Sequence, residues 1–432
     1  MTPPLLYNLF PRLVGAAPRW GEHARRAAGM GFNWLYLNPW HYPGFSGSLY
    51  APKEFGRMNP LFLPPGFDPG SLDPLREALQ EIQDAGLRPM MDLVVNHTAR
   101  DSPLVEEHPE WYLRDDAGEV VSPFVLDPDD PSRRTVWGDL AEIDNRHSAD
   151  RDRLWEFWGT RVREGLELGF HGFRCDAAAK VPAELWSFLI GEAARIRPGA
   201  EFFAETLGAP LEDVAGLRSA GFAYFFNSSK WWNFSEPWAL DQHERFREIA
   251  PSIAFPESHD TPRLAAESGG DEAVQRQRYA FAAAFSAGVM MTTGYEFGFR
   301  TAVNVVETMP SDWERGSMDL VSFVTRVNRL KLGHPLLADE GVLRARSELQ
   351  GETLILERSA AEDVDAPKGW IVINKVWAEG REVELTSILP PGAEETHRLF
   401  RVCRDDSPEA GEEISPRLTL DRAEVVYVLP RR

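Results

Sequence analysis

The chain has 432 residues, 43% hydrophobic and 26% charged, a balance that excludes disordered, collagen-like and disulfide-scaffold classes. Asp plus Glu number 67 against 46 Lys plus Arg, and the net charge of −21 repels nucleic acid and anionic membrane, so neither is expected as a partner. The two cysteines, Cys175 and Cys403, match no metal spacing and fit a reducing compartment. No apolar run reaches the ~18 residues of a membrane span, and the first residues, MTPPLLYNLFPRLVGAAPRW, lack a basic stretch before an apolar one; a cytoplasmic location is expected.

In chain order, short apolar runs predict strands at Leu5–Leu9, Asn33–Asn38, Pro89–Val95, Gly172–Cys175, Glu201–Thr206, Ala223–Asn227, Ser252–Pro256 and Gly288–Thr293. Amphipathic stretches between them, including Leu72–Ala85, Asp150–Leu168 and Ala183–Ile196, predict helices. Strands alternating with helices imply an α/β fold with parallel β-structure, and eight such units imply a closed (β/α)8 TIM barrel over residues 1–337. The segment 98–147, rich in Pro, Asp and Trp, is too long for a plain crossover and reads as a short subdomain inserted after the third strand. Beyond Leu337 the helix signal fades. Short β runs at Thr353–Leu356, Trp370–Ile373, Val383–Leu385 and Val425–Val428 predict a C-terminal antiparallel β-sandwich over residues 338–432.

Barrel enzymes place catalytic groups at the C-terminal ends of strands. Asp92, Asn96 and His97 lie in MMDLVVNH; Arg174 and Asp176 end GFHGFRCD; Glu205 ends EFFAET; Glu257, His259 and Asp260 follow SIAF. A lone Asp at a strand end is commonly a helix cap or an ion-pair partner, but four strand ends deliver carboxylates to one rim. Converging carboxylates without a Cys or His cluster suit glycoside hydrolysis, in which a retaining enzyme needs an ionised nucleophile and a protonated acid about 5–5.5 Å apart. Arg174 and Asp176 are two residues apart on a strand and point the same way. The guanidinium would keep Asp176 ionised. Glu205 follows Phe202, Phe203 and Ala204, an apolar setting that would raise its pKa and suit the acid.

Together the motifs resemble those of the α-amylase superfamily, family 13 of the glycoside hydrolases. MDLVVNHT, GFRCDAA, FFAET and PESHDTPR resemble its four conserved regions, in the family's order. GMGFNWLYLNP, GDLAEID, TTGYEFG and SFVTRVNRLKLGHPLL add weaker echoes. The resemblance implies a retaining α-glycosidase acting on α-linked oligosaccharides or α-glucosides. Asp176 would be the nucleophile, Glu205 the general acid/base, and Asp260 the carboxylate that stabilises the transition state. His97 and His259 would donate hydrogen bonds to the sugar, Arg174 would fix Asp176, Asp92 would hold Arg174, and Tyr50 would stack on the reacting ring.

The sequence departs from the family pattern after Asp176, where Ala179 and Lys180 replace a common Lys-His pair. No obligatory calcium and no other cofactor is expected, although Asn96 remains a possible metal ligand. Trp231, Trp232 and Trp238, in NSSKWWNFSEPW, read either as an acceptor-side sugar platform or as packing at an interface. Water or a sugar hydroxyl can take the covalent intermediate, so hydrolysis and glucanosyl transfer both stay open. The compact insert and HPEWYLRDDAGEV also resemble bacterial maltosyltransferases that use maltose 1-phosphate, for which Lys53, Lys180, Lys230 and Arg300 are the candidate phosphate cations. A non-catalytic sugar-binding scaffold is the alternative from another class; loss of a carboxylate would mark it, and all three are present. The sequence does not set the oligomeric state.

Overall fold

Successive side chains of a strand point to opposite faces, and in a closed barrel those faces are the lumen and the helical shell. The computed structural model describes residues 2–126, 130, 132–360, 362, 363 and 365–431. Its parallel strands are β1 (Leu5–Leu9), β2 (Trp34–Leu37), β3 (Arg88–Leu93), β4 (Gly172–Cys175), β5 (Glu201–Glu205), β6 (Tyr224–Phe226), β7 (Ser252–Ala254) and β8 (Gly288–Thr292). They close in the order β1-β8-β7-β6-β5-β4-β3-β2. Each expected strand forms; most are trimmed at their ends, where polar residues such as Asn38, Thr206 and Asn227 leave the ladder for the loops of the rim. Leu6, Trp34, Tyr36, Met90, Phe203, Phe226, Ile253 and Met290 form a lumen cluster, while Leu5, Tyr7, Leu35, Leu37, Met91, Phe173, Phe202 and Phe225 pack into the main core shared with the helices. Arg174 and Glu205 occupy lumen positions by the same alternation.

The crossovers include α1 (Trp20–Gly29), α2 (Asp73–Asp84), α3 (Arg151–Leu168), α4 (Ala183–Ile196), α5 (Trp238–Arg247) and α6 (Glu272–Phe285), and α7 (Val321–Gly333) follows β8. In α2 the buried Leu75, Ala78, Leu79 and Ile82 recur at helical spacing, and Pro74 sits in the first turn, where its missing N–H costs nothing. Helix α3 ends at Gly169, whose φ of 122° lets its N–H return to the carbonyls of Gly165 and Leu166.

Two loops of the rim carry antiparallel strand pairs. After β2, His41–Pro43 pairs with Pro52–Met58, and Tyr50 lies in the turn between them. After β3, His97–Ala99 pairs with Leu140–Glu142, and Phe124–Leu126 with Arg134–Val136. The pair after β2 was not expected, because its residues lack a continuous apolar alternation.

C-terminal to α7, strands β9 (Val342–Ala345), β10 (Thr353–Ser359), β11 (Lys368–Asn374), β12 (His397–Phe400) and β13 (Val425–Pro430) form an antiparallel sheet in the order β9-β10-β11-β13-β12. A second pair joins Arg381–Glu384 to Arg417–Leu420. One face of the larger sheet (Leu354, Leu356, Ile371, Ile373, Val425, Tyr427) belongs to the main core. The intervening residues (Ile355, Trp370, Val372, Val426, Val428) pack with Val383, Leu418 and Leu420 of the small pair. Both faces are therefore covered, and these strands read as near-continuous apolar runs for that reason. Tyr427 Oη donates to the Ala280 carbonyl of α6 at 2.5 Å, and Gln277 Nε2 donates to the Asn374 carbonyl at 2.6 Å.

Candidate active site

The site is built outward from one buried ion pair. Arg174 on β4 and Asp92 on β3 are register partners, so their lumen-facing side chains meet. Arg174 Nη1 donates to Asp92 Oδ1 at 2.9 Å and Oδ2 at 3.2 Å. The same Nη1 reaches forward to Asp176 Oδ1 at 2.6 Å, and Nη2 lies 4.0 Å from Glu205 Oε2. Burial disfavours the guanidinium charge, but Asp92, Tyr36, Tyr50 and Asp176 outweigh that and raise the Arg174 pKa well above its usual value. Burial in turn pushes Asp92 up, against the pull of Arg174 and the tyrosine hydrogen bonds.

Asp92 Oδ2 also accepts from the hydroxyls of Tyr36 and Tyr50, each at 2.5 Å. A phenol has one proton to give. With the Tyr50 proton on Asp92, its oxygen accepts from His259 Nε2–H at 2.7 Å, and the same nitrogen lies 2.9 Å from Asp260 Oδ2. The Tyr50 and His259 rings are stacked 5.5 Å apart at 2°. Burial pushes the Asp260 carboxyl up, but the charge and hydrogen bond of His259, with Arg174, leave it below the usual range. Asp176 and Asp260 are thus tied to one buried carboxylate through Arg174 on one side and Tyr50 with His259 on the other.

Glu205 ends β5. Its Oε2 accepts from the Ala177 N–H at 3.0 Å and its Oε1 from the Leu207 N–H at 3.0 Å. Ala177 reaches this position in the left-handed region, at φ 43°, one residue after Asp176. Burial raises Glu205 to about 7; Arg174 and the Ala177 hydrogen bond oppose this, while Asp176 and Asp260 add to it. The apolar setting expected from Phe202, Phe203 and Ala204 is present, but Glu205 does have a cation nearby. Arg174 approaches it from the neighbouring strand, which proximity in sequence could not reveal.

His97 sits beside the site with its Nε2–H donated to the Tyr50 carbonyl at 2.8 Å. In this arrangement His97 holds the Tyr50 turn, and its ring donor is committed to the protein. Trp232 departs from the expectation of a sugar platform. It is 0% exposed, packs on Phe234, Phe281 and Phe285, and gives its indole N–H to the Glu236 carbonyl, so it is a core residue of the loop. Trp231 is 51% exposed, with its ring lying over Gly208 in the loop that follows Glu205. Trp238 begins α5, half-buried against the core. Lys53 is paired with Asp101 at 2.7 Å and Lys230 with Glu267 at 2.6 Å, while Lys180 donates to the Phe124 carbonyl at 3.0 Å. Asn96 keeps a buried Oδ1 without a hydrogen-bond partner among the described residues. Among those residues, however, the His, Asp and Glu side chains that gather as a possible metal set are His108, Glu110 and Asp150, and Asn96 has no such carboxylate trio around it. Asp150 there already accepts from Trp111 Nε1 and pairs with Arg153.

Tyr36 and Asn38 were missed as site residues. They stand two apart around the end of β2, as Arg174 and Asp176 do around the end of β4, and that same alternation was the available signal. Asn38 Nδ2 donates to the Tyr50 oxygen at 3.0 Å and to the Tyr36 oxygen at 3.3 Å.

Comparison with known proteins bears on this arrangement. Residues 5–127 match the model of the glycogen debranching enzyme glucanotransferase domain. Over 390 residues, 86% of this chain, it is 27% identical to an α-1,4-glucan:maltose-1-phosphate maltosyltransferase of Burkholderia pseudomallei, and covers 33% of that protein. A protein of the same name from Mycobacterium tuberculosis is 24% identical over 76% of this chain and 51% of its own length. The chain therefore spans between a third and a half of these relatives. The fold superimposes on a maltogenic α-amylase of Thermotoga neapolitana with a TM-score of 0.74 at 18% identity, covering 99% of both chains. It also superimposes on the α-amylase of Geobacillus thermoleovorans complexed with acarbose, with a TM-score of 0.75 at 17% identity and 98% of both chains covered. What these solved structures share with the chain is the fold. In this fold Asp176 directly follows β4, Glu205 ends β5, and Asp260 lies in the loop after β7.

Proposed function

We propose that this chain is a member of the α-amylase superfamily and a retaining α-glycosidase that acts on α-glucosidic bonds of malto-oligosaccharides or related α-glucosides. The observation that carries the reading is the single Arg174 guanidinium that reaches Asp176 at 2.6 Å and Glu205 at 4.0 Å. Asp176 attacks the anomeric carbon and forms the glycosyl–enzyme ester. Glu205, raised to about 7, protonates the departing oxygen and then deprotonates the acceptor. Asp260, held anionic by His259, binds sugar hydroxyls and stabilises the oxocarbenium-like transition state. Tyr50 offers its ring face to the reacting sugar. The free cysteines, Cys175 and Cys403, support a cytoplasmic setting.

Glucanosyl or maltosyl transfer is the second reading. It is favoured by the names of the relatives and by the exposed Trp231 beside the Glu205 loop, an indole face on which an acceptor sugar can stack. Incubation with maltotetraose alone separates the two. Shorter sugars only mean hydrolysis; longer ones as well mean transfer. Proton NMR of the first-formed product tests retention, and a β-anomer there would overturn the double-displacement mechanism. Glu205→Gln is expected to lose turnover of unactivated maltotetraose while still binding it, and loss of binding instead would reassign the acid.

A further inference from the structure

The Tyr36 hydroxyl has no role in the chemistry above, yet it is 1% exposed and donates to Asp92 at 2.5 Å. We infer that Tyr36 is a positioning residue for Asp176, acting through Asp92 and Arg174; the inference rests on the reading of Asp176 as nucleophile.

Three facts support it. First, one nitrogen, Arg174 Nη1, bonds both Asp92 oxygens and Asp176 Oδ1, so any rotation of the Asp92 carboxylate is passed directly to the nucleophile. Second, the two phenols on Asp92 Oδ2 differ in permanence. Tyr50 lies on a half-exposed turn and is shared with His259 and, in the proposed reaction, with the sugar. Tyr36 projects from β2 into the lumen cluster and is 1% exposed at the pocket lined by Arg174, Glu205, His259 and Asp260, so it is fixed by packing where Tyr50 is not. Third, the Tyr36 proton is directed. Asn38 Nδ2 donates to the oxygens of both tyrosines, and Asn38 Oδ1 is itself held by Asn8 Nδ2 at 2.9 Å. With amide donors on their oxygens, both phenols turn their protons toward Asp92. Tyr36 thus keeps the anchor of Arg174 oriented while substrate engages Tyr50.

The test uses the full chain, its Tyr36→Phe variant and Asn38→Ala. Each is treated with a 5-fluoro-α-glucosyl fluoride, which traps a retaining nucleophile, and labelling is followed by intact mass and peptide mapping. In the parent the label is expected on Asp176. In Tyr36→Phe the trapping rate and kcat are expected to fall roughly 10- to 100-fold, as for a nucleophile displaced by a fraction of an ångström, with KM within about twofold. The acid limb of the kcat/KM profile should move to higher pH, because Asp92 with one donor fewer takes up a proton more readily and releases Arg174. Asn38→Ala should shift both readouts in the same direction and by less, and it carries the test if Tyr36→Phe does not fold. Parental trapping and an unmoved pH profile in the folded variants would reduce Tyr36 to packing. A parent labelled elsewhere than Asp176, or not at all, would overturn the nucleophile reading and this inference with it.

Discussion

Arg174 and Asp92 face each other across the β3–β4 ladder, and their side chains meet at 2.9 and 3.2 Å with almost no exposure to solvent. Removing one partner of such a pair strands the other charge in a low-dielectric interior, which costs about 3–5 kcal/mol. Arg174→Met is therefore expected to lower the urea unfolding free energy by that amount, and the double variant Arg174→Met/Asp92→Asn to regain much of it. A single variant as stable as the parent would show that the pair does not anchor the rim.

The pH dependence follows from Glu205. In the proposed mechanism Glu205 is the general acid and must carry its proton, which its carboxyl, raised to about 7, loses near that pH. The activity of the free enzyme, read as kcat/KM, should thus fall as pH rises through about 7. Burial is the main cause of the raised value, and the Asp176 charge adds to it. Asp176→Asn is accordingly expected to lower the Glu205 pKa while leaving it above that of an exposed glutamate. Carbon-13 NMR titration of labelled carboxyls measures this directly, and an unchanged or higher value in Asp176→Asn would contradict it.

Neighbouring tryptophans should behave oppositely. Trp232 fills a cavity among Phe234, Phe281 and Phe285, and its truncation to Ala is expected to cost about 3–5 kcal/mol. Trp231 is half exposed, and its truncation should leave stability within ~0.5 kcal/mol while changing the ratio of longer to shorter products from maltotetraose. Denaturation curves and product chromatography of both variants check the pair. Equal destabilisation by the two would remove the distinction.

Ala177 takes a left-handed conformation so that its N–H can reach Glu205. An L-residue with a Cβ pays about 1–2 kcal/mol there, and glycine does not. Glycine also adds freedom to the unfolded chain, which takes back part of the gain. Ala177→Gly keeps the N–H and should raise stability by about 0.5–1 kcal/mol with activity retained. A lower denaturation midpoint would show that the Ala177 methyl contributes packing that outweighs the strain.

The barrel was legible because a strand covered on both faces leaves a short apolar run, and eight of these alternate with helical periodicity. The polar ends of those runs located Asp176, Glu205, His259 and Asp260. Contacts between strands were harder to read. Glu205 gains its cation from β4, and His97 gives its proton to a backbone carbonyl in the neighbouring loop, after β2. Neither relationship has a local signature. Trp232 illustrates another limit. Adjacent indoles in a loop carry no periodicity to say which turns inward, and the partners that bury Trp232, Phe281 and Phe285, lie on α6. Among the C-terminal strands, β9, β12 and Arg417–Leu420 were overlooked because charged, exposed or half-exposed residues interrupt their apolar pattern.

The placement of Asp92 one layer below the rim separates durability from adaptability. On the proposed mechanism, loops around the mouth can be lengthened, re-lined or exchanged to suit a new sugar or a new acceptor, since the group that ties Asp176 and Asp260 together is not among the parts being altered. The reverse also holds: a change at that hidden carboxylate should silence every variant of the surface above it at once.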